Sequence, residues 1–315
     1  MSGAVAGPAR ITVVGNVNLD VLVSGVAELP PPGTERIVPP VVLRAGGSAA
    51  NTAITLARLG RETVLTGLVG DDDTAHLLRR QLDIPGLRTH LTRVPDRPTG
   101  VTVAVEAPGR DRAFLSALGA MAVLDAGSVP EEALPAEFLL LSGYFLLPAV
   151  QGDPARDLFA RAKAAGARTA LDTGWDPGGW PASTRAEVVA VLGGVDVFLP
   201  NEDEILALTG AASAEAGAQE IADGTGATVV VKRGARGALL ARPGAPLSVH
   251  ATPEVAVRDS TGAGDAFNAG LLHRLAGGAD AADAVEYGTR VAATVISRPS
   301  DDRAFTPGDV LEGAQ

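Results

Sequence analysis

Asp259-Ser260-Thr261-Gly262-Ala263-Gly264-Asp265 sets a carboxylate at the end of a small-residue turn, and Ala266-Phe267-Asn268-Ala269-Gly270-Leu271-Leu272 continues it with the apolar spacing of a helix. The glycines let the backbone turn tightly and leave amide hydrogens exposed. At a helix start, such free N–H groups and the positive end of the helix dipole make a site for anions. Dipoles already in place would meet charge shifting between phosphate oxygens during a transfer. Asp265, within reach of an acceptor hydroxyl, is suited to take its proton as the oxygen attacks the terminal phosphate of a nucleotide. The same residues also describe a glycine-rich turn with Asp265 as an ordinary helix-start residue.

Other stretches must decide between the two. Gly46-Gly47-Ser48-Ala49-Ala50-Asn51-Thr52-Ala53 pairs two glycines, which let a ligand approach the backbone, with Ser48 as the expected cap of a helix running to Leu59 and ended by Gly60. Asn51 offers both a donor and an acceptor, suited to sugar hydroxyls or to a structural hydrogen bond with the neighbouring loop. Ile11-Thr12-Val13-Val14-Gly15 reads as a buried strand, and Asn16-Val17-Asn18-Leu19-Asp20 follows at its end. Ligands of open α/β sheets bind outside the carboxyl ends of strands, so Asn18 and Asp20 are candidates for holding hydroxyls, a turn-forming pair being the alternative. Val195-Asp196-Val197-Phe198-Leu199 is a strand pattern closed by Pro200, and Asn201-Glu202-Asp203-Glu204 then reads as an acidic helix start. Val229-Val230-Val231-Lys232-Arg233-Gly234-Ala235-Arg236-Gly237 reads as a strand, a turn and a return strand.

In their order and spacing, the turn before Asp265 and the Gly46-Gly47 stretch resemble the two signatures of the ribokinase-like (PfkB) carbohydrate kinase family. The resemblance runs from about Ile11 to near Arg298 and implies transfer of the γ-phosphate of ATP to a hydroxyl of a small sugar or sugar derivative. It implies Asp265 as base and Gly262, Ala263 and Gly264 as the anion hole, with Asn18, Asp20, Gly46, Gly47 and Asn51 holding the acceptor. Asn201-Glu202-Asp203-Glu204 looks like the family's N-x-x-E element, so Asn201 and Glu204 would arrange the water shell of a magnesium ion. Lys232, Gly234, Gly237 and Thr261 become candidates for contact with the nucleotide. Potassium or another monovalent cation would sit near Asp259 and Thr261, as in relatives that bind one beside the anion hole. A nucleoside kinase of the same family and a catalytically silent sugar-binding sensor are the alternatives. Three departures put ribose itself in doubt: Ser48 where ribokinase has lysine, Ser142-Gly143 near its substrate-contacting glutamate, and Thr289 where the family often has asparagine. Asp172-Thr173-Gly174-Trp175-Asp176-Pro177 resembles a strand-end element of several sugar kinases without identifying the ligand.

The remainder of the chain fits this reading. With 315 residues and 46% hydrophobic content, it can build one large α/β unit with a smaller attachment, or two domains. Short apolar runs such as Phe138-Leu139-Leu140-Leu141 and Arg168-Thr169-Ala170-Leu171-Asp172 alternate with helical stretches such as Pro154 to Ala165. The expected fold is a doubly wound, mostly parallel α/β sheet with helices on both faces, carried as a single domain over the whole chain. Thr99 to Glu106 alternates, Ala107-Pro108-Gly109-Arg110-Asp111 turns, and Arg112-Ala113-Phe114-Leu115 returns. With the residues flanking the proline-rich stretch Leu29 to Pro40, this predicts a small antiparallel β lid from strands within 17–45 and 98–116, which would exclude water and whose edge would offer a homodimer contact.

Composition excludes other classes. A net charge of −11 disfavours nucleic acid as a partner. The absence of cysteine removes disulfides and thiolate metal sites, and His76, His90, His250 and His273 show no ligand spacing. No apolar run is long enough to span a membrane, and Met1 to Ala9 lacks the pattern of a signal peptide, so a cytoplasmic location is expected. Neither G-x-x-x-x-G-K-[ST] nor, after the first strand, G-x-G-x-x-G occurs, which disfavours Walker-type NTPases and dinucleotide enzymes. An aromatic content of 3% argues weakly against a nucleoside acceptor, although Phe114, Tyr144 or Phe145 could supply a ring.

Overall fold

The computed structural model describes residues 10–26, 28–106, 113–299 and 302–310. The strands are β1 (Ile11–Gly15), β2 (Asn18–Val23), β3 (Val42–Gly46), β4 (Thr63–Val69), β5 (Leu87–Arg93), β6 (Gly100–Val105), β7 (Ala113–Ala117), β8 (Phe138–Ser142), β9 (Arg168–Asp172), β10 (Val197–Phe198), β11 (Thr228–Lys232), β12 (Ala238–Ala241) and β13 (Ser248–His250). The helices are α1 (Ser48–Arg58), α2 (Asp73–Gln81), α3 (Asp153–Ala164), α4 (Ala182–Leu192), α5 (Glu202–Thr209), α6 (Ala214–Thr225), α7 (Ala263–Ala276) and α8 (Ala281–Ile296).

Nine strands form the main sheet in the order β13-β12-β11-β10-β9-β8-β1-β4-β5. It is parallel from β5 to β11, and the last two pairings are antiparallel. Burial on both faces explains the unbroken apolar runs. In β8, Leu139 and Leu141 pack with α3, α4, α5 and α6 residues such as Leu158, Val188, Ile205 and Ile221. Phe138 and Leu140 point the other way, into a core with Leu56 of α1, Leu78 of α2, Leu271 of α7 and Val285 of α8. The double winding expected from the alternation is therefore present.

The strand order reverses beside β1, which lies between β4 and β8. A crevice opens at such a reversal, outside the carboxyl ends of the strands. There β1 ends at Gly15, β8 at Ser142, β9 at Asp172 and β11 at Lys232. The strand expected over Val195 to Leu199 pairs regularly only at Val197–Phe198, because Pro200 closes it and Asn201 starts α5.

The lid is a four-stranded sheet in the order β3-β2-β6-β7, with antiparallel outer pairs and a parallel β2–β6 pair at its centre. Of its strands, β2 and β6 lie within 17–45 and 98–116, β3 and β7 run one residue past those bounds to Gly46 and Ala117, and Leu29 to Pro40 forms no strand. The turn expected at Ala107-Pro108-Gly109-Arg110-Asp111 and the start of its return strand at Arg112 lie outside the described residues, as does Met1 to Ala9. Only two residues separate β1 from β2, so Asn18 and Asp20 belong to the lid although they follow the main sheet directly.

One clasp ties lid to body. Asp72 caps α2 by accepting from Ala75 N at 2.8 Å, and it also accepts from Thr99 N at 2.7 Å and Thr99 Oγ1 at 2.6 Å, just before β6. Asp72→Ala removes the cap and leaves the Thr99 groups without this partner. It should cost about 1–3 kcal/mol in urea unfolding and speed amide exchange in Gly100–Val105 more than in β8; equal exchange in both strands would refute the clasp.

Candidate active site

Two pockets meet at the start of α7. One, of about 350 Å³, is lined by Asp172, Asn201, Glu204, Lys232, Gly234, Gly237, Ala263, Gly264 and Asp265, with Thr289 beside them. The other, of about 670 Å³, is lined by Asn16, Asn18, Asp20, Gly47, Asn51, Thr261, Gly262 and Asp265, with Thr102, Phe114 and Ser116 of the lid above. Ser48, Gly174 and Asp265 line both.

Gly262 begins α7 with φ 75°, a left-handed conformation natural to glycine, and Asp265 lies in the helix's first turn. Asn51 in α1 donates from Nδ2 to Asp265 Oδ2 at 2.9 Å, and Thr52 Oγ1 donates to Asp265 O at 3.4 Å. Burial pushes the Asp265 carboxyl up to about 7, with the Asp172 charge adding, against the Asn51 hydrogen bond and Lys232. Its residual exposure is to the pockets it lines.

The start of α1 differs from expectation. Gly47, at φ 95°, is the cap position, and Ser48 is the first helical residue with no capping side-chain bond there. A Cβ on Gly47 would stand 2.3 Å from Asn16 O and 2.8 Å from Asn18 Oδ1, so only glycine lets this turn close on the β1–β2 link. Gly46 does not line the acceptor-side pocket: its Cα packs against the Asp20 carboxylate, which a Cβ would strike at 2.1 Å. Asn18 Nδ2 donates to Asp20 Oδ1 at 2.8 Å. Burial raises the Asp20 pKa, opposed by Arg44, whose Nε lies 3.9 Å from Asp20 Oδ2.

Asn201 and Glu204 do form a helix start: Glu204 N donates to Asn201 Oδ1 at 2.8 Å, and Asn201 N and Nδ2 donate to the Glu204 carboxylate at 2.8 and 2.9 Å. They also line the smaller pocket, so their part in the helix start does not take them away from it. Burial raises the Glu204 pKa, and Lys232 opposes it. Lys232 Nζ donates to Asp172 Oδ2 at 3.1 Å and to Asn268 Oδ1 at 3.4 Å, while Asn268 Nδ2 donates to the same Asp172 oxygen. Gly234 and Gly237 line the pocket from the β11–β12 hairpin; a Cβ on Gly237 would lie 1.9 Å from His250 O, a packing demand set by the neighbouring strand β13.

Thr261, a candidate for the nucleotide side, lines the larger pocket. Tyr144 turns away as a ring donor, buried and bonded through its hydroxyl to Glu187 at 2.8 Å, whereas Phe114, Phe145 and Trp175 do line that pocket. Several site residues had no distinct signal. Asn268 looks like any small polar residue on a helix, and Thr102 and Ser116, hydroxyls 2.9 Å apart, are marked only by the lid's alternation. Arg44 and Arg303, both paired with Asp259, sit in a half-exposed strand and in a segment outside regular helix or strand.

Arranged this way, the site can hold an anion at the N-terminus of α7, where Ala263 N already donates to Ser260 O at 3.2 Å, bring a neutralisable base to the boundary of two cavities, and keep carboxylates facing the smaller one. Comparison with known proteins bears on that chemistry. The chain matches the pfkB family carbohydrate kinase description over residues 8–307. It is 31% identical over 312 residues to the bifunctional protein HldE of Chromohalobacter salexigens, a match covering 92% of this chain and 60% of that protein. Thus the chain spans about 60% of the length of the first curated relatives it matches. It is 33% identical over 258 residues to the 1-phosphofructokinase of Rhodobacter capsulatus, covering 78% of this chain and 77% of that one. The ribokinase of Thermotoga maritima superposes with a TM-score of 0.80 at 25% identity, over 96% of this chain and 98% of that one. Among the described residues, no helix is long and apolar enough to cross a membrane.

The raised Asp265 pKa has a consequence for stability. Between the unfolded value of 3.8 and about 7, the folded state keeps a proton that the unfolded state releases. Stability from this group is therefore full below the unfolded pKa and falls as pH rises toward 7. Asp265→Asn removes the titration, so the variant should gain several degrees of Tm relative to the wild type between pH 5 and 8; a difference independent of pH would show that the carboxyl is not raised.

Proposed function

The chain belongs to the pfkB family of carbohydrate kinases, and from that premise we propose that it transfers the γ-phosphate of ATP to a hydroxyl of a small sugar or sugar derivative in the cytoplasm. The observation that carries this reading is that Asp265 lines both pockets, at the N-terminus of α7. In the larger pocket, Asn18, Asp20, Gly47 and Asn51 hold the acceptor; Gly46 serves by giving Asp20 room. In the smaller one, Lys232, Gly234 and Gly237 lie along the nucleotide. Asp265 takes the hydroxyl proton as the acceptor oxygen bonds to the γ-phosphorus and the bond to the β-phosphate oxygen breaks, releasing ADP. The amides at Gly262 and Gly264 meet the negative charge moving between phosphate oxygens, while Ala263 N donates to Ser260 O at 3.2 Å and so shapes the turn from which the anion hole is built.

Magnesium fits the smaller pocket. Asp172, Glu204 and Asp265 face it with Lys232, and Arg233 beside them is engaged with Glu202 and Glu215. The Asn201–Glu204 pair would hold the ion through water, since magnesium gives up its hydration reluctantly, and the ion would neutralise charge on the nucleotide phosphates. The exposed lid side chains Leu43 and Leu115, on the two outer strands, would pack against a second copy in a homodimer. A nucleoside acceptor is the second reading, favoured by the rings of Phe114, Phe145 and Trp175 along the larger pocket.

Magnesium-dependent ADP release should appear with an acceptor drawn from sugars, sugar phosphates and nucleosides, and the responding acceptor separates the two readings. The kcat/KM should climb with pH to about 7 and then level, as the base loses its proton. Asp265→Asn should lower kcat by about 10²- to 10⁴-fold with ATP binding retained. Full activity in that variant would remove Asp265 as base, and sugar binding without turnover of any acceptor would favour a sensor.

A further inference from the structure

Asp259 opens the anion-hole turn, and its carboxylate is fully buried. Two guanidinium groups converge on it: Arg44 Nη1 at 3.4 Å and Arg303 Nη2. Arg303 also donates to main-chain oxygens of the turn, from Nη2 to Asp259 O at 3.2 Å and from Nη1 to Thr261 O. The turn is closed within itself by Thr261 N donating to Asp259 Oδ1 at 2.9 Å. Two carbonyl oxygens and a buried carboxylate gathered around one positive group are the hard-oxygen donor set of a cation site. Here the cation belongs to the chain. A monovalent ion beside Asp259 and Thr261 would need the same oxygens, so the potassium expected from the family resemblance does not fit.

We propose that the Arg303 guanidinium is a tethered cation standing in place of a monovalent ion, which holds residues 259–262 in the shape that opens the α7 amides to phosphate, so that phosphotransfer proceeds without potassium. Arginine suits this place because it stays charged and its planar fork serves several oxygens at once. Its backbone is fixed as well: Arg58 Nη1, from α1, donates to Arg303 O at 2.7 Å. The cation is thereby ordered when the chain folds, whereas a free ion would have to be recruited from solution. Arg303 is a positioning residue, acting through Thr261 and Gly262; its Nη1 lies 3.4 Å from where a Gly262 Cβ would stand. The catalytic part of the proposal rests on the kinase reading.

The test compares potassium chloride with choline chloride at equal ionic strength, where screening is the same and wild-type turnover should agree within about twofold. The wild-type Tm should also be the same in both salts. Arg303→Ala should lose about tenfold or more in kcat in choline chloride, and should regain rate and Tm on addition of potassium or guanidinium ion. A saturable rise of the wild-type rate or Tm with potassium would overturn the proposal, whether or not the variant folds. So would a folded Arg303→Ala that keeps full rate in choline chloride or that neither ion rescues. The Tm readout does not depend on the reaction: a variant whose Tm gains a potassium response, with no acceptor phosphorylated by either protein, would support the tethered cation and defeat the kinase reading.

Discussion

The hydrogen bond from Asn51 to Asp265, 2.9 Å long, joins the first turn of α1 to the first turn of α7 across 214 residues of sequence. Both helices lie on the same face of the main sheet, packed through Leu56, Phe267 and Leu271 into one core. Their N-termini therefore converge beside the crevice where the strand order reverses, and the positive ends of two helix dipoles come near the same small volume. The bond also fixes one carboxylate oxygen of Asp265, a residue that lines both pockets. The close approach at Gly47 serves the same end, because a side chain there would push α1 off the β1–β2 link and carry Asn51 with it.

That convergence has an electrostatic cost. Asp20, Glu204 and Asp265 all have raised pKa values, each chiefly through burial. Lys232 opposes the rise at Glu204 and Asp265, and Arg44 opposes it at Asp20. Carboxylates held partly out of water are poor contributors to folding stability near neutral pH, and useful ones for proton transfer and for attracting a hydrated cation. The apolar sheet core, with Leu65, Phe138 and Leu140 at 0% exposure, is what the fold sets against that cost. Asp259 shows the opposite arrangement: equally buried, but met by two guanidinium groups, and so suited to fixing a turn.

Local patterns made most of this legible in advance. The apolar runs of β1, β8 and β11 announce strands buried on both faces, and β6 alternates as a strand of a half-covered sheet must. Asp265, Asn51, Gly47 and the Asn201–Glu204 pair were visible because each stands at a helix start, where residue type carries a strong positional meaning. Ser48 was misread as a cap because serine is a good capping residue in general; the left-handed turn puts glycine there instead. Gly46 was placed against the acceptor when its lack of a side chain makes room for Asp20. Arg44 and Arg303 could not be found by pattern, since an arginine on a half-exposed strand or in an irregular segment is usually solvated. Their role comes from a tertiary approach over 215 and 44 residues of sequence separation.

The short link between β1 and β2 divides the larger pocket between two structural bodies. Asn18 and Asp20 lie on β2, and Thr102 and Ser116 on β6 and β7, so four polar groups lining this pocket belong to the lid, with Phe114 of β7 beside them. Asn51 and Asp265 belong to helices packed on the main sheet. A molecule filling this pocket would touch both sets, so any displacement of the lid would move Asn18, Asp20, Thr102 and Ser116 relative to Asp265. Two residues of link, with Val17 fully buried, leave β2 little freedom to move independently of β1 at its near end. The far end, by contrast, runs out to partly exposed Val21, Leu22 and Val23. The near end of β2, with Asn18, is thus held beside β1, and the larger pocket is walled partly by groups anchored to the main sheet and partly by groups carried out along the lid strands.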